Sequence, residues 1–237
     1  MRLFCHHDEV WKMKPNVSLP HGSPVRNTRS TGGVRQRQSS EARKVLVEAT
    51  IRCLDKWGYS DTSIARIQDE ANVSRGALTH HFPSKEDLMV STIDHLLEKL
   101  LRPSLPSKRL NQSDIVADLR WLAKNMTGSQ PGRALSEVLM ATRTDTKLNA
   151  RVSDRLVEWN QKLDDAVLGF YASPHGDDED VRLIWMIART FMRGLILQQP
   201  FTPDPAQIDL AISRFGALIA PYLEMRQRKG PENAQPV

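Results

Sequence analysis

The chain has 237 residues, enough for one large domain or for a small domain joined to one of about 100 to 200 residues. Hydrophobic residues make up 40% and charged residues 26%, and no apolar run approaches the ~18 residues that a bilayer requires, which argues against a membrane-spanning helix. The formal charge of +5 is unevenly placed: residues 1–44 hold nine Lys or Arg against three acids, leaving the other 193 residues at −1, and a basic arm ahead of a near-neutral body suits contact with nucleic acid.

From Met1 to Gln38 there is no hydrophobic periodicity, and Pro15, Pro20, Gly22, Pro24, Gly32 and Gly33 interrupt any helix, so residues 1–38 read as a disordered basic tail. It lacks the apolar stretch of a secretory signal. Cys5-His6-His7 has the composition of a metal tract but no fourth ligand nearby, and no metal or cofactor is expected. Two cysteines without a paired spacing imply a reducing, cytoplasmic home.

Beyond Gln38 the periodicity is helical throughout and alternating β-branched runs are absent, which makes the class all-α. A first helix over 39–57 places Ala42, Leu46, Ala49, Cys53 and Trp57 on one face and ends at Gly58. Two short helices follow at 63–70 and 74–81. After Pro83, Ser84 caps a longer helix carrying Leu88, Thr92, Leu96 and Leu100 as far as Pro103. Proline and glycine then bracket five more segments at about 112–127, 132–145, 148–171, 178–198 and 205–226. Residues 39–86 are read as a DNA-binding domain, 87–226 as a helical ligand-binding and dimerisation domain, and 227–237 as a second disordered tail.

The two short helices, clasped by Ile64 and Ile67 on the first and Leu78 on the second, have the form of a helix-turn-helix. Thr62 is expected to cap the first, with Ser63 beside it, and Ser74 the second. The opening turn of the second helix would carry Arg75 and Ala77 to a groove, with Gly76 letting the backbone come close to DNA. Lys85, at the start of the next helix, would supply a cation for a phosphate. His81 and Phe82 are expected to close the small core.

Gly58-Tyr59, Thr62-Ser63, Ile67, Ala71, Val73-Ser74-Arg75-Gly76, Leu78, His81-Phe82 and Lys85-Glu86-x-Leu88 together resemble the DNA-binding domain of the TetR family of transcriptional repressors. The resemblance implies nine helices, a homodimer made mainly by the last two, and an effector pocket in the C-terminal core. It also implies a one-component repressor that leaves a palindromic operator when a small hydrophobic or amphipathic molecule binds. Three residues depart from the family pattern. Thr79 stands where the family usually has Tyr, so a phosphate contact would fall to its hydroxyl or to His80. Asn72 takes the place of a turn glycine, and Gln68 that of a small residue.

In the C-terminal part, Trp121, Leu122, Leu139, Trp159 and Leu163 offer more apolar surface than their helices need, and Arg143 and Asn160 lie near enough in sequence to orient a polar group. The segments at 178–198 and 205–226 are apolar over wide arcs, with Phe191, Phe215, Gly194, Ala211 and Gly216 expected at a dimer interface. The acidic run Asp177-Asp178-Glu179-Asp180 suits a helix N-terminus better than a divalent-cation site. No ExxH, HExxH, GxSxG or GxxxxGK[ST] pattern occurs, so no enzyme is expected. The alternatives are a ligand-independent DNA-binding protein and an all-helical enzyme.

Overall fold

The computed structural model describes residues 31–104 and 114–226, with side chains for 36–101 and 114–226. Among these residues the order is α1 (Thr31–Asp61), α2 (Ile64–Ala71), α3 (Arg75–His81), α4 (Lys85–Ser104), α5 (Ile115–Leu122), α6 (Gln130–Ala141), α7 (Thr146–Leu168), α8 (Asp178–Gln198) and α9 (Pro205–Ile219). The class is all-α: an N-terminal helix-turn-helix followed by a helical C-terminal part. None of these helices is long and apolar enough to cross a membrane. The Cys5-His6-His7 cluster and the tail at 227–237 lie outside the described residues.

The boundaries differ from expectation where local chemistry intervenes. α1 begins at Thr31, eight residues ahead of Ser39, so the end of the expected tail is helical. Gly58 then breaks its axis with φ 72° and ψ 176°, a conformation that an L side chain rarely adopts. The expected helix at 112–127 is regular only to Leu122; its last turn, Ala123–Thr127, is π-helical and closes with Gly128 N–H donating to the Ala123 carbonyl at 2.7 Å. α9 stops at Ile219 rather than 226 because Pro221 has no N–H to continue the ladder. After one 3-10 turn at Ala220–Tyr222 the chain becomes extended, and β2 (Glu224–Met225) pairs antiparallel with β1 (Tyr171–Ala172), a short strand pair that the periodicity did not show.

Two apolar cores hold the helices. In the first, Leu46, Ile51 and Leu54 of α1 meet Ile67, Leu78 and Phe82, Leu88, Ile93 and Leu96 of α4, Val138 of α6 and Trp159 of α7. The second joins Ile115 and Leu119 of α5 to Val181, Ala188 and Met192 of α8 and Ile212 and Ile219 of α9. Side chains buried like these stabilise by about 1.5 to 3 kcal/mol each relative to solvent. Asp177 caps α8 by accepting from Glu179 N–H at 2.8 Å, and Asp178 pairs with Arg226 at 2.5 Å, so the acidic run serves the helix start.

Candidate nucleic-acid interface

The helix-turn-helix is set by three local devices. Ser63 Oγ accepts from Arg66 N–H at 3.2 Å and caps α2; Ser74 Oγ accepts from Ala77 N–H at 3.2 Å and caps α3. Between them Asn72 adopts φ 52°, ψ 50°, the left-handed conformation its side chain tolerates, and its N–H turns back to the Asp69 and Gln68 carbonyls. Ile67 and Leu78 close the clasp, both essentially without exposure.

The expected cap at Thr62 is therefore corrected by one residue. Thr62 is fully buried, and its hydroxyl donates to the Gly58 carbonyl at 2.6 Å, tying the end of α1 to the start of α2. A hydroxyl was needed there, but to satisfy the carbonyl of the kinked glycine; it does not face solvent.

On α3, Arg75, Gly76, Ala77, Thr79 and His80 are exposed while Leu78 is buried, so one side of the helix is free from its first turn onward. A Cβ added at Gly76 would meet nothing within 4 Å. The open side at that position is solvent, where another molecule's backbone can approach. The Thr79 hydroxyl donates to the Arg75 and Gly76 carbonyls at 3.0 and 3.2 Å, so it is engaged with its own helix. His80 stacks edge-on against His81 with ring centroids 5.2 Å apart.

Arg43 belongs to this site although no motif in the sequence marks it. Its guanidinium lies 4.2 Å from the centroid of the buried Phe82 ring and donates from Nη1 to the His81 carbonyl at 2.7 Å, fixing the C-terminal end of α3 against α1. Lys85 is half-buried, with Nζ 5.0 Å from the Tyr59 ring centroid. Ser84 accepts from Asp87 N–H at 3.1 Å and opens α4. Tyr59 in turn donates its hydroxyl to Asp145 at 2.7 Å, and burial together with that carboxylate drives the phenol's pKa upward. Further ion pairs link these helices to the C-terminal part: Arg133–Asp55 at 2.6 Å, Arg151–Asp87 at 2.7 Å and Arg155–Asp94 at 2.8 Å. An open groove of about 450 Å³ between the end of α3, α4 and α7 is lined by Arg43, His81, Phe82, Asp87, Asp94 and Arg151.

A model for bacterial regulatory proteins of the tetR family matches residues 46–92, the segment from within α1 to within α4. Residues 46–92 are therefore a TetR-family helix-turn-helix domain. It is 26% identical over 190 residues to an uncharacterized HTH-type regulator of Mycobacterium tuberculosis, covering 78% of this chain and 95% of that protein. It is also 26% identical over 193 residues to the HTH-type regulator CymR of Pseudomonas putida, covering 79% and 90%. The fold matches that of a TetR regulator from Chloroflexus aurantiacus with a TM-score of 0.60 at 18% identity, over 80% of this chain and all of that one. A regulator from Saccharomonospora viridis, solved in complex with choline, matches with a TM-score of 0.57 at 17% identity, over 79% and 100%. TetR-family regulators are DNA-binding proteins, not enzymes.

The residues expected to bind an effector are partly brought together. Trp159 and Leu163 are buried in the first core, and Trp121, Leu122 and Leu139 are half-buried against it. Trp159 donates its Nε1–H to the Leu97 carbonyl at 3.0 Å, so its one polar group is committed to α4. Arg143 is exposed beyond the end of α6, and Asn160 is half-buried on α7. Three expected dimer residues have contacts within the chain: Phe191 and Phe215 stack on each other at 4.2 Å between ring centroids, and a Cβ at Gly216 would come within 2.6 Å of Val116, so that glycine lets α9 approach α5.

Proposed function

We propose that this regulator is an effector-responsive repressor that binds a palindromic operator as a homodimer and releases it when a small, largely apolar molecule enters its C-terminal part. One observation carries the reading: the first turn of α3 presents Arg75, Gly76 and Ala77 to solvent on a helix capped by Ser74 and braced by Arg43 and Phe82. A rigid, exposed N-terminal turn is what a major groove receives. Arg75 then reads a base edge, Ser63, Ser74, Thr79, His80 and Lys85 flank the phosphates, and Thr62 holds the frame.

Dimerisation is supported by apolar residues left on the outside of the last two helices. Leu183, Met186, Ile187 and Leu197 follow helical spacing along α8, each at least 42% exposed, and Leu210 and Leu218 of α9 are at least 55% exposed. An effector site among α5, α6 and α7 is supported by the half-buried Trp121, Leu122 and Leu139, with Asn160 as a polar group; one protein of the same fold holds choline. The mechanism is population shift, because an effector that binds both spacings of the recognition helices equally regulates nothing. A reducing cytoplasm is the setting this role requires.

Selection of bound fragments from genomic DNA tests the reading. A two-fold symmetric site with half-sites one helical turn or a multiple apart is expected. Recovery of fragments without a shared sequence would count against it.

A further inference from the structure

α3 has seven residues, too few to hold a helix in water alone, so its placement comes from what grips it. At its start Ser74 supplies a cap, and midway Leu78 is sealed in the clasp. The far end is finished differently. Phe82 N–H returns to the Leu78 carbonyl at 2.8 Å, but Phe82 itself is extended, with φ −137° and ψ 104°, and Pro83 has no N–H to turn back to the helix. The donor for the last carbonyl comes from α1. Arg43 donates from Nη1 to the His81 carbonyl at 2.7 Å while its guanidinium lies across the Phe82 ring, 4.2 Å from the centroid, and the phenylalanine beneath is 1% exposed.

Arg52 treats α2 in the same way. Its Nε donates to the Glu70 carboxylate at 2.5 Å and its Nη2 to the Glu70 carbonyl at 3.4 Å, so α1 holds the last turn of both short helices by a backbone carbonyl. This separates two roles open to Arg43. Exposed at the edge of a DNA-binding domain, it has the charge of one more cation for phosphates. Its contacts are turned inward instead: one edge of the guanidinium serves a carbonyl and its flat face covers a ring. Only a planar, forked cation does both at once, since an ammonium has no flat face. The last turn of α3 is thereby pinned, and the angle of the helix with it. Base edges are read only by groups held to within about 0.5 Å, whereas long cations follow a phosphate through small displacements.

We propose that Arg43 is a positioning residue for sequence readout and not a phosphate contact: it sets the angle at which α3 enters the groove, and so governs the preference for operator over other DNA without adding to the attraction for DNA in general. This rests on the reading of α3 as the recognition helix and assigns the residue that aims it.

The test uses the full chain with Arg43→Met, Arg43→Lys and Arg75→Ala. Each is titrated on the genomic fragment that the wild type selects most strongly and on random-sequence duplex of equal length, at several salt concentrations and well below its melting temperature. Arg43→Met and Arg43→Lys should both bind the selected fragment about tenfold or more weakly, the scale of one lost base contact. Both should bind random duplex as the wild type does, with the same salt slope. Arg43→Lys keeps the charge and the aliphatic stem, so it carries the test if circular dichroism shows that Arg43→Met has lost helix. A phosphate contact gives the opposite pattern and would overturn the proposal: Arg43→Lys close to wild type, and Arg43→Met weaker on both DNAs with a slope smaller by about one. Unchanged binding of the selected fragment by folded Arg43 variants would overturn it too, as would equal losses on both DNAs. Arg75→Ala keeps the readings apart. If it leaves the selected fragment bound as tightly as before, α3 is not the reader and both readings fall; if it weakens that binding while the Arg43 variants do not, only this inference falls.

Discussion

Arg75 and Lys85 are both cations near the recognition helix, yet they should fail differently when removed. Arg75 is exposed on the first turn of α3, so Arg75→Ala should cost roughly 1 to 3 kcal/mol on the best operator and relax preference at one base per half-site. Lys85 sits at the start of α4, where the proposed interface would bring a phosphate, and Lys85→Ala should weaken all sequences alike while reducing the salt slope by about one unit. Titrations on operator and random DNA at several salt concentrations check both. A third residue bears on stability. Asp118 is half-buried, donates nothing and accepts from the Tyr171 hydroxyl; desolvation raises its pKa above the ordinary 3.8, more than that hydrogen bond lowers it. The folded state therefore holds the proton more tightly than the unfolded one, and stability falls as pH climbs from 3.8 through the raised value. Asp118→Asn keeps an acceptor for Tyr171 without the charge. It should raise the melting temperature at pH 7, with the gain shrinking as the solution is acidified.

At the level of single elements, the sequence disclosed most where one residue type answers one backbone need. Asn72 in place of glycine was readable as a left-handed turn and has φ 52°. Asn72→Ala should therefore destabilise by about 1 kcal/mol while Asn72→Gly is tolerated, which denaturant melts would separate. Ser74 was readable as a cap for the same reason. Thr62 was misassigned because two adjacent hydroxyls offer the same local signal, and only the packing of Gly58 decides which of them turns inward. The stop of α9 is written in Pro221, while the apolar periodicity that runs on to Leu223 points past it. Arg43 was not legible at all. It gains its role from Phe82, 39 positions away in the chain, which is not a pattern along the chain.

For the whole molecule, the proposed dimer rests on the outward apolar residues of α8 and α9, which would have to join two copies so that both recognition helices meet one face of DNA. Phe191 and Phe215 are occupied with each other, so the informative substitutions are at Leu197 and Leu218, which are 55% and 70% exposed. Leu197→Glu with Leu218→Glu should give a folded monomer that binds operator DNA at least about tenfold more weakly, since a bound pair gains from linked sites that a monomer lacks. Sedimentation and circular dichroism on the double variant check the state and the fold. A dimer of unchanged affinity would exclude this face.

The first core has a consequence for how such a protein can be taken apart. α4 sends Leu88, Ile93 and Leu96 into the same apolar cluster as Ile67 and Leu78 below and Val138 and Trp159 above, and Leu97 gives its carbonyl to that tryptophan. Modularity therefore does not run along the chain at a linker near residue 86. A DNA reader excised there would lose a wall of its own core, and one excised after α4 would carry a bare apolar flank shaped for this particular α6 and α7. Exchange of sensors between relatives is thus confined to partners that reproduce that flank, and a hybrid that ignores it should aggregate before it misregulates.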